Sequence, residues 1–185
     1  MFARTERLLL RPGWREDAPA LFHAIADESI VRNLATAPWP YTMADAETFL
    51  ARERPAGQAA CLIFLRTDGA PALAGGIGFG RTQEDEVEFG YWIARAFWGQ
   101  GIATEAGRAL LANARHSLRL PRLVAGHFTD NPASGRVLQK LGFRPTGVVR
   151  GRHSAGRNAI APAKEFVLEL TDAAADPAVG RAMAA

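Results

Sequence analysis

The sequence is poor in cysteine: Cys61 is the only one among 185 residues. A single thiol excludes an internal disulfide framework and a cysteine-based zinc site, and it suits a reducing cytoplasm. Long apolar runs are missing too. The longest are short, such as 59–65, against the roughly 20 residues a membrane-spanning helix needs. The opening Met-Phe-Ala-Arg-Thr-Glu-Arg lacks the apolar core of a signal peptide. His23, His116, His127 and His153 show no metal-ligand spacing, so no metal is expected. Nor is there a strong charge of one sign: 22 basic against 19 acidic residues leave +3. The aromatics do not interleave with a basic stripe, so even a pI ≈ 9.6 does not make a nucleic-acid-binding module. The bases are almost all Arg, which suits planar anions such as phosphate and carboxylate.

What remains is ordinary globular composition, 48% hydrophobic and 22% charged, enough to bury a core without staples. Residues 1–171 read as one domain, and the alanine-rich 172–185 as a flexible tail. Residues 4–11 read as an opening strand, and 15–26 carries apolar residues at helical spacing. Thr36 to Thr42 is a loop punctuated by Pro38 and Pro40, and Thr42 caps a helix that Pro55-Ala-Gly57 ends. Strands are expected at 60–66, 73–79 and 87–94. The second carries Gly75, Gly76, Gly78 and Gly80, which points to close packing against a neighbour. In the third, Val87, Phe89, Tyr91 and Ile93 share one face, with Glu86, Glu88, Gly90 and Trp92 on the other. A helix over 102–118, a strand over 122–128, a helix over 131–141 and strands at 146–150 and 164–170 complete the domain. Residues 151–163 between the last two strands read as a polar, flexible loop. Strands alternate with helices only in the second half, which defines a mixed α/β (α+β) class.

Two constellations carry chemistry. Gly99, Gln100, Gly101, Ile102, Ala103 and Thr104 lie where a strand gives way to a helix. The first amides of a helix lack internal partners and sit at the positive end of its dipole, so a phosphate can dock there. A plain turn explains the glycines equally well. Two phosphate loops are excluded. No Gly-Lys-Ser/Thr stands here, and Thr104 occupies the third glycine of a dinucleotide fingerprint. The second constellation is Asn131-Pro132-Ala133-Ser134, where Asn131 can cap the helix and Ser134 lies one turn in.

Together with Thr5-Glu6-Arg7-Leu8-Leu9-Leu10-Arg11-Pro12, Glu88-Phe89-Gly90-Tyr91-Trp92-Ile93 and Leu138-Gln139-Lys140-Leu141-Gly142-Phe143, these segments resemble the GNAT superfamily of N-acetyltransferases. The similarity is greatest to its RimJ/RimL-like branch and runs over about 4–170. It implies a mostly antiparallel twisted sheet of about seven strands, splayed between the fourth and fifth, with about four helices. It implies acetyl-CoA as cosubstrate, its pyrophosphate on the amides of 99–104. The pantetheine arm would run along the backbone of Trp92, Ile93 and Ala94, with an amide near Ile93 as oxyanion donor. Asn131 and Ser134 complete the cofactor site, and Arg136 and Lys140 can meet the outer phosphate. The family's Arg/Gln at the head of the phosphate loop is Trp98 here, and its general-acid Tyr is Leu138. Ser134 is therefore the expected acid toward the departing thiolate. Glu88 is the expected base toward the amine, with Glu86 the alternative. The acceptor is a protein N-terminus or a small amine, placed by the resemblance near Trp39-Pro40-Tyr41 and near Arg152, His153 and Arg157. A non-catalytic acyl-CoA binder on the same fold is the alternative function. The chain is expected to be a monomer or homodimer in the cytoplasm. Cys61, within an apolar strand, reads as a buried inert thiol, and His127 as packing, with substrate contact open.

Overall fold

The computed structural model describes residues 1–53 and 58–170. The expected helix stop at Pro55-Ala-Gly57 and the expected tail at 172–185 lie outside the described residues. Eight strands form one sheet in the order β1 (Ala3–Arg4), β2 (Leu8–Arg11), β3 (Ala60–Leu65), β4 (Ala72–Arg81), β5 (Val87–Ile93), β6 (Arg122–Phe128), β8 (Ala159–Glu169), β7 (Arg144–Ser154). Neighbours are antiparallel except β5 and β6. A parallel neighbour requires a crossover, here made by helix α4 (Ile102–His116). Helices α1 (Ala18–Ile25), α2 (Glu28–Val31) and α3 (Met43–Ala51) precede β3, and α5 (Pro132–Lys140) follows β6.

The mixed α/β class and the mostly antiparallel sheet stand, with differences of local origin. The opening strand is two strands folded about 5–7, where Thr5 N–H donates to Leu8 O at 3.0 Å and Leu8 N–H to Thr5 Oγ1 at 2.9 Å. That turn makes eight strands of the expected seven. The additional helix, α2, has four residues, too few for a helical period to show in the sequence. Its N-cap Asp27 accepts from Ser29 N–H at 2.8 Å. Residues 151–163 are not a flexible loop: β7 and β8 run through them as one long hairpin around 155–158. Nearly every β7 residue is exposed, so the strand carries no apolar alternation to betray it.

The sheet is covered on both faces. In β3, Cys61 and Ile63 join the core beneath α4 and α5, while Leu62 and Phe64 join a second core beneath α1 to α3. Burial on both faces explains the unbroken apolar run of β3. Cys61 sits inside the first core, 3% exposed, as expected of an inert thiol. The glycines of β4 do pack closely. A Cβ at Gly75 would lie 2.2 Å from Trp92 O, and one at Gly78 would lie 2.1 Å from Ala59 O; Gly80 has open space.

The feature that positions everything else is the junction of β5 and β6. Their one registered pair is Glu88 with Val124, near the start of both strands. Beyond it the strands diverge, so the β6-facing edge of β5 from Gly90 to Ile93 faces a gap.

Candidate active site

After β5, a short turn of 3-10 helix at Arg95–Phe97 leads to Gly99 (φ 76°) and Gly101 (φ 77°). Both occupy the left-handed region, which a side chain resists at roughly 1–2 kcal/mol. Gly101 is the N-cap of α4, and the first helical bond is Glu105 N–H to Gly101 O at 3.0 Å. The amides of Ile102, Ala103 and Thr104 therefore have no partner within the helix. Trp98, where the family has Arg or Gln, braces the loop: its Nε1–H donates to Ile93 O at 2.7 Å, and Arg95 stacks 4.3 Å from its ring.

The loop is also tied to the chain's beginning. Glu105 accepts from Thr5 Oγ1 at 2.5 Å, Arg7 N–H at 3.1 Å and Arg7 Nε at 2.7 Å. Arg7 reaches on to Gln100 O at 3.2 Å. Burial works to raise the Glu105 carboxyl, but the hydrogen bonds from Thr5 and Arg7 prevail and hold it below its ordinary 4.5. A depressed carboxyl stabilises the fold above its unfolded pKa, and the contribution fades as pH falls through the folded value. Glu105→Gln is therefore expected to cost about 1 kcal/mol at pH 7, modest because Arg7 is 44% exposed. Urea titrations of the two proteins should converge as the pH drops below 4.5; a gap that stays constant well below that pH refutes the linkage.

A cavity of about 550 Å³ runs from this loop, along the gap, to the far side of the sheet. Gly99, Gly101, Ile102, Ala103 and Thr104 line one end. Trp92, Ile93, Asn131 and Ser134 line the middle, and Glu88 and Arg152 the other end. Arg136, Lys140 and His127 also face it. The expected site residues are thus brought together, with two exceptions. Gln100 does not line the cavity; its Nε2 donates to Ala96 O at 3.0 Å. Ala94 does not either, because its N–H is bonded to Ala74 O of the neighbouring β4 at 2.9 Å.

Ser134 lies in the first turn of α5, its N–H 3.3 Å from the capping Oδ1 of Asn131. Its Oγ accepts from the Tyr91 hydroxyl at 3.0 Å. Leu138, at the family's tyrosine position, is 1% exposed in the core. The phenol beside Ser134 comes instead from the opposite wall. Placing Tyr91 on one strand face with Phe89 and Ile93 does not disclose it: the ring packs with Phe89 at 6.0 Å, but its tip is polar. Burial raises the phenol above its ordinary 10.0, although the Ser134 bond works the other way.

At the far end Glu88 forms a two-pronged pair with Arg152, Oε1 with Nη1 and Oε2 with Nη2 at 2.9 Å. The hydrogen bonds that Arg152 donates to Glu88 lift its guanidinium above the usual range despite burial. Glu86, the alternative base, lies outside the cavity lining and pairs with Arg122 at 2.6 Å. The expected acceptor loops need correction. Tyr41 is buried in the second core, Trp39 is 43% exposed, and neither lines the cavity. Ile30, Leu34 and Ala35, in and after α2, stand there instead. Of the three residues of the final hairpin, Arg152 lines the cavity and His153 and Arg157 do not. Arg157 is held by Asp130, at 2.8 Å on each oxygen. His127 is buried, with Nδ1 2.8 Å from Phe128 O and its ring 5.4 Å from Phe166.

The fold that carries this site is shared with known proteins. The acetyltransferase (GNAT) domain family profile matches residues 7–144, and the chain belongs to that family. Among similar proteins, an uncharacterized N-acetyltransferase of Bacillus subtilis, YoaA, is 29% identical over 153 residues, 79% of this chain and 84% of its own. The ribosomal-protein-serine acetyltransferase of Escherichia coli is 35% identical over 80 residues, 42% of this chain and 45% of its own. That similarity accords with the RimJ/RimL-like branch. The fold is that of a GNAT-family acetyltransferase from Bacillus anthracis (TM-score 0.77, 24% identity, 92% of this chain and 99% of that one). It is also that of RimL, a ribosomal-protein alpha-N-acetyltransferase in complex with coenzyme A (TM-score 0.73, 19% identity, 91% and 98%).

Proposed function

We propose that this protein transfers an acetyl group from acetyl-CoA to a primary amine by direct attack. The observation that carries the reading is the gap between β5 and β6, with unpartnered amides at one end and Ser134 at its middle. The residues suit an acyl-CoA. The amides of Ile102, Ala103 and Thr104 accommodate a pyrophosphate, and the two glycines keep side chains off its approach. Along this edge of β5 the Tyr91 backbone and the Ile93 N–H turn to the gap and can meet the amide groups of a pantetheine arm, whereas the backbone of Trp92, like that of Ala94, turns to β4. Since Ala94 N–H turns toward β4, alternation along the strand aims the Ile93 N–H into the gap. That is where a developing oxyanion needs a donor. Arg136 and Lys140, four residues apart on α5, face the cavity and supply cations for the outer phosphate.

The thioester supplies an activated acyl carbon with a thiolate leaving group. Ser134 donates a hydrogen bond to the departing sulfur and so stabilises the thiolate that forms there. Glu88 receives, through water, the proton that the amine sheds. Each oxygen of the Arg152-bound carboxylate keeps a lone pair for that water. The pair orients the Glu88 carboxylate toward the acceptor end, where its charge also attracts a cationic amine. The ribosomal-protein relatives favour a protein N-terminus as the acceptor over a small amine. The cavity wall of Ile30, Leu34 and Ala35 gives such a residue an apolar rest.

A non-catalytic acyl-CoA binder is the competing reading, favoured by Leu138 at the tyrosine position. Thiol release from acetyl-CoA, measured with a panel of amines and N-terminal peptides, separates the two. Amine-dependent release is expected; tight acetyl-CoA binding with no release establishes the binder. In the same assay Glu88→Gln is expected to lower kcat/KM about 100-fold. A Glu88→Gln enzyme with wild-type turnover and pH profile removes Glu88 as the base.

A further inference from the structure

A serine hydroxyl is a poor acid on its own. A thiol of cysteine type ionises near about 8.5 and a phenol near about 10, whereas an aliphatic alcohol holds its proton far more tightly. Ser134 cannot give its proton to a thiolate and remain an alkoxide; it serves the sulfur as a hydrogen-bond donor, strengthened when its own oxygen accepts from another hydroxyl. The group placed to donate to that oxygen is Tyr91, whose hydroxyl lies 3.0 Å from Ser134 Oγ. The two side chains come from different elements, β5 and α5, on opposite walls of the gap, and both line the cavity. A partly buried phenol needs an acceptor, and Ser134 Oγ is the acceptor it has. With one lone pair engaged by Tyr91, Ser134 keeps its own O–H free to donate into the cavity that it lines.

We propose that Tyr91 is a positioning residue acting through Ser134, so that the phenol which relatives of this family carry at the Leu138 position is replaced by a phenol–serine pair reaching the sulfur from the β5 side. The inference rests on the acetyl-transfer reading above. Its balance is simple. The amine nitrogen bonds the acetyl carbon and the carbon–sulfur bond breaks. The sulfur leaves as a thiolate that accepts from the Ser134 O–H, while Ser134 Oγ accepts from Tyr91. The proton that the amine shed toward Glu88 passes to water, which balances the charge of the thiolate. Nothing is oxidised or reduced. Tyr91's raised pKa keeps the phenol protonated, and so able to donate, throughout the neutral range.

The pair should also act on the product. A donor aimed at sulfur favours the thiolate, so bound CoA should ionise earlier than free CoA. Calorimetric titration at pH 8 in two buffers of different ionisation enthalpy counts the protons released on binding. Desulfo-CoA, which lacks the thiol, provides the baseline. The wild-type protein is expected to release roughly a quarter to three quarters of a proton more with CoA than with desulfo-CoA, as a thiol ionising near about 8.5 moves to or below the working pH. Tyr91→Phe and Ser134→Ala are each expected to lose that excess while binding desulfo-CoA as the wild type does. Phe keeps the ring that packs on Phe89, so the fold should hold. Loss in Ser134→Ala with full release in Tyr91→Phe overturns the role of Tyr91 and leaves Ser134 as the sulfur's donor. No excess in the wild type, or an excess unchanged in Ser134→Ala, removes Ser134 from the sulfur and the Tyr91 role with it.

Discussion

Replacing Ser134 with alanine is expected to lower turnover about 100-fold or more, the usual worth of a positioned acid. CoA affinity should change by less than about threefold, because the amides of the α4 start do not depend on the hydroxyl. The Asn131 cap accepts from the backbone N–H of Ser134, which an alanine retains, so α5 stays in place. The effect should therefore fall on kcat, as expected when an interaction made only in the transition state is lost. Steady-state kinetics with the best amine from the panel measure it. Turnover within twofold of wild type would falsify the assignment.

The largest effect on stability is expected at Gly75. An alanine Cβ there would sit 2.2 Å from Trp92 O and 3.1 Å from Ile93 Cα. Both are backbone in the centre of the sheet, so no rotamer change can relieve the clash. The strands must separate, at a cost of at least about 3 kcal/mol, beyond ordinary overpacking. For a domain of this size the melting temperature should fall by about 6–12 °C. The same displacement moves the edge of β5 that lines the gap, so CoA binding should weaken as well. Gly80→Ala on the same strand is the control: nothing lies within 4 Å of its Cβ, and its stability should stay within about 0.5 kcal/mol of wild type. Equal melting temperatures for the two variants would show that close approach is not why β4 carries glycine.

These expectations rest on contacts that differ in how far the sequence discloses them. The start of α4 is legible because Gly99, Gly101 and the apolar period that follows are local signals. Asn131 and Pro132 announce α5 in the same way. Glu88 lies on a face that strand alternation defines. Its engagement by Arg152 is not legible, since the partner arrives 64 residues later on a strand that lacks any apolar pattern. Arg157 and Asp130 meet for the same kind of reason, across 27 residues. The acceptor wall is misread as Trp39 and Tyr41 because aromatics in a loop suggest a binding surface. Packing decides otherwise by burying Tyr41 and bringing the short α2 to the cavity.

By itself, then, the sequence determines the class of fold, the glycine-bearing start of α4 and the hydroxyl at the head of α5. Each of these is written in neighbouring residues whose backbone preferences act over a single turn. Only the tertiary structure decides what the hydroxyl touches. Tyr91 reads as core in any window of sequence, because its ring is apolar and strand alternation sends it inward. That its oxygen ends 3.0 Å from Ser134, 43 residues away, depends on how far α5 packs across β5 and β6. That distance is set by the whole core beneath the two helices.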